Sequence, residues 1–317
     1  MDYALINEVI GDIIKIVNAY NKDKNYDYSV TSKLVIVLLG YYLTFGPEIF
    51  EKINKFIFSL NIYECESYVD YREAFKKILP EEKWLGYYLA PLPQMRWDFR
   101  YNKDNKFIGA IPNILYVRRK YSSDVLDLAH EISHGLEGLE GRVISEDDKQ
   151  VTLRLGFSTI KVDKNTNFMT FADLGFNEFA TINVENRVLQ SLKNLEAEKI
   201  DYDFVKKFLN ELSTDKKIVA SGYPLMTGVY RNLMDNDHFF DLLKKYHYAN
   251  DYEMFKAEYE GINEGLSAEI LRNNTNILIK AKEEDTFDIL PKVTEQINLF
   301  NEGTNFKPDT KSLILLV

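Results

Sequence analysis

The stretch Asp127–Gly138, which reads DLAHEISHGLEG, contains two histidines four residues apart, and a glutamate follows the first of them. Side chains four residues apart on a helix lie one turn above each other, so His130 and His134 can share one metal ion. The 317-residue chain has only 4 histidines, and two of them are in this stretch. The pattern HExxH therefore predicts a metal site, with Glu131 next to the first ligand.

The apolar side chains around this motif repeat at helical spacing and predict an amphipathic helix. They are Val125, Leu128, Ala129, Ile132 and Leu136. At 100° per residue, His130 and His134 fall roughly opposite the centre of this stripe, where core histidines would not lie. Ser122 or Ser123 can cap the helix. The alternative to a metal site is a solvated polar face without metal.

Catalytic zinc normally takes three protein ligands and keeps one position for water. Glu140 lies six residues after His134, which is the spacing of the third ligand in HExxHxxGxxH. That pattern needs a glycine where this chain has Glu137, and the nearest glycine is Gly138. Glu140 is therefore the weaker candidate.

Glu178, in FNEFAT at the start of a predicted long helix, is the better candidate for the third ligand. It shares a face with Ile182 and Leu189, and a carboxylate on an apolar face needs a partner that a metal would supply. The alternative is a solvated glutamate near the positive end of the helix dipole. Glu185, two turns further on, is a candidate hydrogen-bond partner for a metal-bound histidine.

HEISH, a β-hairpin and then NEFAT at the head of a second helix resemble the gluzincin metallopeptidases, the thermolysin-like group of the zincins. The resemblance covers about residues 113–195. It implies His130 and His134 as zinc ligands, Glu178 as the third, one zinc per chain, and Glu131 as the catalytic carboxylate. Thermolysin-like enzymes often place an acidic residue where this chain has Ile182. Thr181, Glu185 or Asp127 would have to orient a histidine instead.

The reaction implied is zinc-dependent hydrolysis of peptide bonds. Zinc polarises the scissile carbonyl and acidifies a bound water, whose proton Glu131 accepts and later passes to the leaving amine. Related enzymes draw a second oxyanion donor from a downstream Tyr or His. Tyr223 is favoured here, with Tyr230 and His238 as alternatives. The short run at 113–117 (NILYV) is expected to be an edge strand that pairs with an extended substrate.

The fold class expected is α+β. A zincin-like core, built from a small sheet and the active-site helix, is predicted for residues 101–195. Mainly helical regions are predicted for 1–100 and 196–317.

Several smaller elements are also predicted. Helices are expected at 3–20, on both sides of Gly46-Pro47 and at 62–79, and a loop at 91–112. VTLRLGFSTIKV, DKNTN and FMTFADL are interpreted as strand, turn and strand, and SLILLV as a short terminal strand.

Composition argues against several classes of partner. A net charge of -10 and a pI near 5.1 disfavour nucleic acid. Cys65 is the only cysteine, so an intramolecular disulfide and a cysteine-based zinc site are excluded. The acidic N-terminus is unlike a signal peptide, and the 13-residue apolar stretch at 34–46 is too short for a membrane helix. We therefore expect a cytoplasmic protein that meets a peptide or protein substrate and no membrane.

Two functions from different classes are compatible with the sequence. The first is a zinc peptidase, in a narrower form a regulatory protease that cuts a single protein partner. The second is a zincin-like module that binds a metal or a protein without catalysis, which Ile182 and the large unassigned helical regions would favour. The sequence leaves the oligomeric state open.

Overall fold

The computed structural model describes residues 2–24, 28–78, 94–138, 141–214, 226, 230–262 and 268–284. Over these residues the fold is mixed α/β, mostly helical, with two small sheets. The chain forms two compact units. Unit 1 comprises Met1–Leu139, Lys164–Phe168 and Glu185–Ala220, and unit 2 comprises Glu140–Asp163, Met169–Val184 and Ser221–Val317. The predicted division into 1–100, 101–195 and 196–317 stays a prediction.

Unit 1 begins with three helices: α1 (Tyr3–Lys24), α2 (Tyr28–Phe45) and α3 (Ile49–Ser59). The predicted break at Gly46-Pro47 is confirmed, and Gly46 adopts a φ of 79° that favours glycine. Helix α2 holds most of the long apolar stretch and is buried around nearly its whole circumference. None of the described helices is both long and apolar enough to cross a membrane.

The helix predicted over 62–79 is only partly correct. Strand β1 (Asn61–Cys65) comes first, and helix α4 (Tyr68–Ile78) follows it. Ile62 and Cys65 are buried in this strand, which pairs in parallel with a strand about fifty residues further along the chain. This distant pairing, which local periodicity does not report, accounts for the difference.

The loop predicted over 91–112 is wrong for most of its length. Strands β2 (Gln94–Tyr101) and β3 (Phe107–Val117) form an antiparallel hairpin there, and the sheet order is β1-β3-β2. Pro112 fits into β3 because β1 pairs only from Asn113 onward, which leaves Pro112 with one neighbouring strand. The run NILYV therefore lies in the central strand, and its prediction as an edge strand is wrong. In the described chain β2 is an edge strand.

Helix α5 (Tyr121–Gly138) carries the HExxH motif. Gly135 lies inside the helix because a Cβ there would come within 2.3 Å of the Phe56 ring and 3.0 Å of Met95 Cε. A Cβ at Gly138 would lie 2.0 Å from the Trp97 ring. Both glycines thus allow β2, which carries Met95 and Trp97, to pack closely against this helix.

Unit 2 contains an antiparallel sheet in the order β4-β5-β6-β7. Its strands are β4 (Arg142–Glu146), β5 (Gln150–Leu155), β6 (Ser158–Asp163) and β7 (Met169–Ala172). The segment VTLRLGFSTIKV is a hairpin and not one strand, because Gly156 turns the chain with a φ of 57°.

Helix α6 (Leu174–Lys193) follows, and the boundary between the two units falls within it, after Val184. The later elements are a 3₁₀ turn (Ala197–Lys199), α7 (Asp203–Thr214), α8 (Arg231–Met234), α9 (Asp237–Tyr246), α10 (Tyr252–Ile262) and α11 (Ala268–Glu284). The described part after residue 196 is helical, as predicted. The terminal run SLILLV lies outside the described residues.

Candidate metal centre

His130 and His134 project from the middle of α5, opposite its buried stripe. The five apolar residues of that stripe are each at most 2% exposed, whereas each histidine side chain is 15% exposed. The ring centroids are 5.0 Å apart, as expected for histidines one helical turn apart. The core packing of α5 therefore leaves both imidazoles partly accessible.

Glu178 lies with these two histidines. One ligand atom from each of His130, His134 and Glu178 lies within 4.8 Å of the other two, which is close enough for all three to hold one metal ion. Glu178 is in the first turns of α6 and is 7% exposed. The predicted grouping of these three residues is confirmed.

A second carboxylate faces each imidazole from behind. Nδ1 of His130 lies 3.1 Å from Oε2 of Glu185, and Nδ1 of His134 lies 3.5 Å from Oε2 of Glu137. A carboxylate that accepts the Nδ1 proton leaves Nε2 as the nitrogen that binds a metal. Glu185 was one of the residues predicted for this position. Its carboxylate can accept the hydrogen bond from His130 that the apolar side chain of Ile182 could not accept.

Glu137 is the member of the site that sequence reasoning missed. In the sequence it was considered only as the residue at the glycine position of HExxHxxGxxH. Its spacing of three residues from His134 could have identified it, since side chains three residues apart on a helix are neighbours. Glu137 is 2% exposed, so its carboxylate is held in place by packing.

Glu131 is also buried, with 7% of its surface exposed. Its carboxylate affects Tyr71 of α4. Burial is the main cause that raises the pKa of Tyr71 to about 12; the Arg96 guanidinium lowers this pKa, and the Glu131 carboxylate raises it. Tyr71 is therefore a neutral phenol at neutral pH within the field of Glu131.

The donor set fits a zinc ion. Two imidazoles and one carboxylate are the ligands of several catalytic zinc sites, and hydrogen-bonded carboxylates behind the imidazoles are their usual support. The four acidic residues around the histidines, which are Glu131, Glu137, Glu178 and Glu185, are all at most 7% exposed. A divalent cation would offset this concentration of buried negative charge.

The other predicted site residues divide into two groups. Tyr223 and Glu140 lie outside the described residues. Tyr230 is 2% exposed, its ring packs 5.3 Å from that of Phe179, and burial raises its pKa well above the usual range. His238 is exposed. Tyr230 therefore has the environment of a core aromatic residue, and His238 has that of a surface histidine.

Asp127 and Thr181 were the two further candidates for orienting a histidine. Asp127 forms an ion pair with Arg119. Thr181 is fully buried, as is Ile182, which belongs to the apolar core of unit 2. The carboxylate contacts described for the two imidazoles are those with Glu185 and Glu137.

No protein-family model, curated protein or solved structure matches the chain. The residues and geometry of this site are therefore the basis for assigning a function.

Proposed function

We propose that this protein is a gluzincin-like zinc peptidase that hydrolyses peptide bonds. The observation that carries the proposal is the convergence of His130, His134 and Glu178 within 4.8 Å, with Glu131 adjacent in sequence. A site that only stored or sensed a metal would not need Glu131. The identity of zinc is part of the proposal and follows from the donor types.

In this proposal His130, His134 and Glu178 hold the metal, which when bound supplies a Lewis acid that polarises a carbonyl and acidifies water. Glu131 accepts a proton from the attacking water and returns it to the leaving amine. Glu185 and Glu137 keep the two imidazoles in the tautomer that presents Nε2 to the metal.

The position of strand β2 at the edge of its sheet favours a peptide as the substrate. It pairs with β3 on one side only in the described chain, and it packs against α5 through Met95 and Trp97. An edge strand presents unpaired backbone groups to which an extended peptide can add. In this proposal β2, and not the run NILYV, is the strand that pairs with an extended substrate.

The experiment that tests the proposal compares wild-type protein with Glu131→Gln. Both are purified without chelators, their zinc content is measured by mass spectrometry, and they are incubated with a library of quenched fluorescent peptides. We expect about one zinc per chain in both proteins and hydrolysis only by the wild type, since the amide cannot accept the proton. Glu198→Gln, at an exposed site, is the matched control and should behave as wild type.

Full turnover by Glu131→Gln would contradict the mechanism. Wild-type protein that holds zinc but cuts no peptide in the library would favour the alternative function, a zincin-like module that binds a metal or a protein without catalysis. Absence of zinc from the wild type would remove the basis for both.

A further inference from the structure

Helix α2 contacts both helices that form the metal centre, although it contributes no ligand. It touches α5 beside His130 and the part of α6 that carries Glu185. We propose that Tyr41, Gly40 and Thr44 of α2 are positioning residues that hold α5 and α6 in the geometry the metal needs. This inference rests on the proposed metal site and extends it to a helix about ninety residues earlier in the chain.

The contact with α5 is made by Tyr41, whose side chain is fully buried. Its hydroxyl donates a hydrogen bond of 2.8 Å to the backbone carbonyl of Ala129, the residue directly before His130. This carbonyl belongs to the helical turn that carries the first imidazole. A phenol bonded at this point fixes the axial position of that turn, because side-chain packing alone would allow the helix to slide or rotate slightly.

The contact with α6 is made one turn after Glu185. Gly40 lies so close that a Cβ there would be 2.6 Å from Val188 Cγ1 and 3.0 Å from Leu192 Cδ1. One turn further along α2, Thr44 Oγ1 lies 2.9 Å from Ser191 Oγ. The two helices therefore meet at near backbone contact, and a hydrogen bond fixes their relative position.

The hydrogen bond from His130 to Glu185 is the link that needs this support. It joins α5 to α6 across 3.1 Å, a distance that tolerates little displacement before the bond is lost. Tyr41 fixes one end of this link and the Gly40–Thr44 turn fixes the other. Because both contacts come from one buried helix, they set the distance between α5 and α6 directly.

A third contact anchors the start of α5. The Lys33 ammonium of α2 lies 2.8 Å from Asp124 Oδ2 in the first turns of α5. Lys33 contacts Asp124, and Tyr41, which comes later in α2, contacts Ala129, which comes later in α5. The two helices therefore run in the same general direction. The anchoring thus extends from the beginning of α5 to the turn that carries His130.

The test uses the full-length chain with Tyr41→Phe, Thr44→Val and the double variant. Tyr41→Phe keeps the ring and removes only the hydrogen-bonding oxygen. Metal affinity is measured by competition with a chromophoric chelator, and site geometry by the visible absorption bands of the cobalt-substituted protein. Thermal unfolding of the metal-free protein is recorded alongside, because a residue that merely stabilises the fold would change only the unfolding temperature.

We expect each single variant to bind zinc about three- to tenfold more weakly. This is at or below the lower end of the affinity loss that follows mutation of residues that hydrogen-bond metal ligands. We also expect the cobalt bands of both to shift. The matched control is Tyr246→Phe, which removes the hydroxyl of another buried tyrosine that bonds Glu258. It should leave the zinc affinity and the cobalt spectrum as in the wild type.

Unchanged affinity and spectrum in Tyr41→Phe and Thr44→Val, with a metal-binding wild type, would overturn this inference and leave the proposed function intact. A wild type that binds neither zinc nor cobalt would overturn both. If the double variant fails to fold, the single variants decide the question, since each removes one polar group without leaving a cavity larger than that group.

Discussion

Two groups of buried charged side chains lie along α5, and they are balanced in different ways. The first, the Lys33 cluster, consists of Lys33, Glu64 and Asp124, which are all at most 3% exposed in their side chains. The second, the histidine cluster, consists of His130, His134, Glu178, Glu185 and Glu137. The first contains a lysine that pairs with both of its carboxylates, whereas the second has the donor types that bind a metal cation.

These two clusters show that one helix can carry both a buried ion pair that stabilises the fold and an accessible group of potential metal ligands. Lys33 lies 2.8 Å from both Glu64 and Asp124, and Tyr116 and Arg118 also bond Glu64, so the first cluster is closed by the protein itself. In the histidine cluster the imidazoles are 15% exposed and can be reached by an ion from solvent. A closed cluster contributes to folding, and an accessible one can bind a ligand.

Removal of Lys33 should have the largest effect on folding. Lys33→Met leaves two carboxylates buried without their ammonium, which we expect to lower the free energy of unfolding by about 3–5 kcal/mol. The measurement is urea-induced unfolding of the metal-free protein followed by circular dichroism. Lys55→Met, which breaks an exposed pair with Glu51, is the control and should change stability by less than about 1 kcal/mol. Similar losses in both variants would contradict the distinction between buried and exposed pairs.

Removal of a metal ligand should have the largest effect in the histidine cluster. Glu178→Ala deletes one of the three donors and should abolish stoichiometric zinc binding while the apoprotein stays folded. Zinc content after dialysis against metal-free buffer provides the measurement. Glu140→Ala is the comparison that separates the two candidates for the third ligand, and it should retain about one zinc per chain. Zinc retained in Glu178→Ala and lost in Glu140→Ala would reverse the assignment.

The carboxylates behind the imidazoles should have intermediate effects of unequal size. Glu185→Gln should weaken zinc binding about tenfold, because the amide is a poorer acceptor for the Nδ1 proton of His130. Glu137→Gln should have a smaller effect, since its contact with His134 is 3.5 Å against 3.1 Å for Glu185. Chelator competition on both variants tests this order. Equal zinc dissociation constants for the two variants would show that the length of the carboxylate–imidazole contact does not determine its contribution to zinc binding.

Cys65 offers the smallest and most local test, because it follows Glu64 directly in β1. Burial raises the pKa of its thiol to about 11, so the reactive thiolate should be scarce at neutral pH and should increase about tenfold per pH unit up to that value. We expect slow alkylation by iodoacetamide in the wild type and in Glu185→Gln. Lys33→Met should react faster, because loss of the ion pair that holds the neighbouring Glu64 should increase local opening of β1. Equal rates in all three proteins would mean that the Lys33 cluster does not control access to β1.

The candidate metal site could be predicted from the sequence because its signal is local. HExxH places two imidazoles and a carboxylate within five residues, and helical geometry then determines their relative positions. Glu178 could be chosen over Glu140 because it shares a helix face with apolar residues. Glu185 could be identified by the same periodicity, since it lies two turns beyond Glu178.

Other features could not be predicted because they depend on distant parts of the chain. The strand β1 and the hairpin of β2 and β3 lie where local composition favours a helix and a loop, and they form because these segments pair with one another. Gly135 allows the close approach of Met95 and Phe56 to α5, which the local sequence does not indicate. Asp124 is the partner of Lys33, which lies about ninety residues earlier in the chain.

The amino-acid sequence alone supplies the candidate ligands: two histidines and nearby carboxylates at helical spacing, on helices whose apolar stripes leave those groups accessible. How these groups meet depends on the tertiary structure. It brings Glu178 to within 4.8 Å of the histidines, places Glu185 behind His130, and uses α2 to hold the helices concerned. The physical reason is that helical periodicity sets the direction of a side chain within one helix, whereas the distance between helices depends on packing and hydrogen bonds between distant segments.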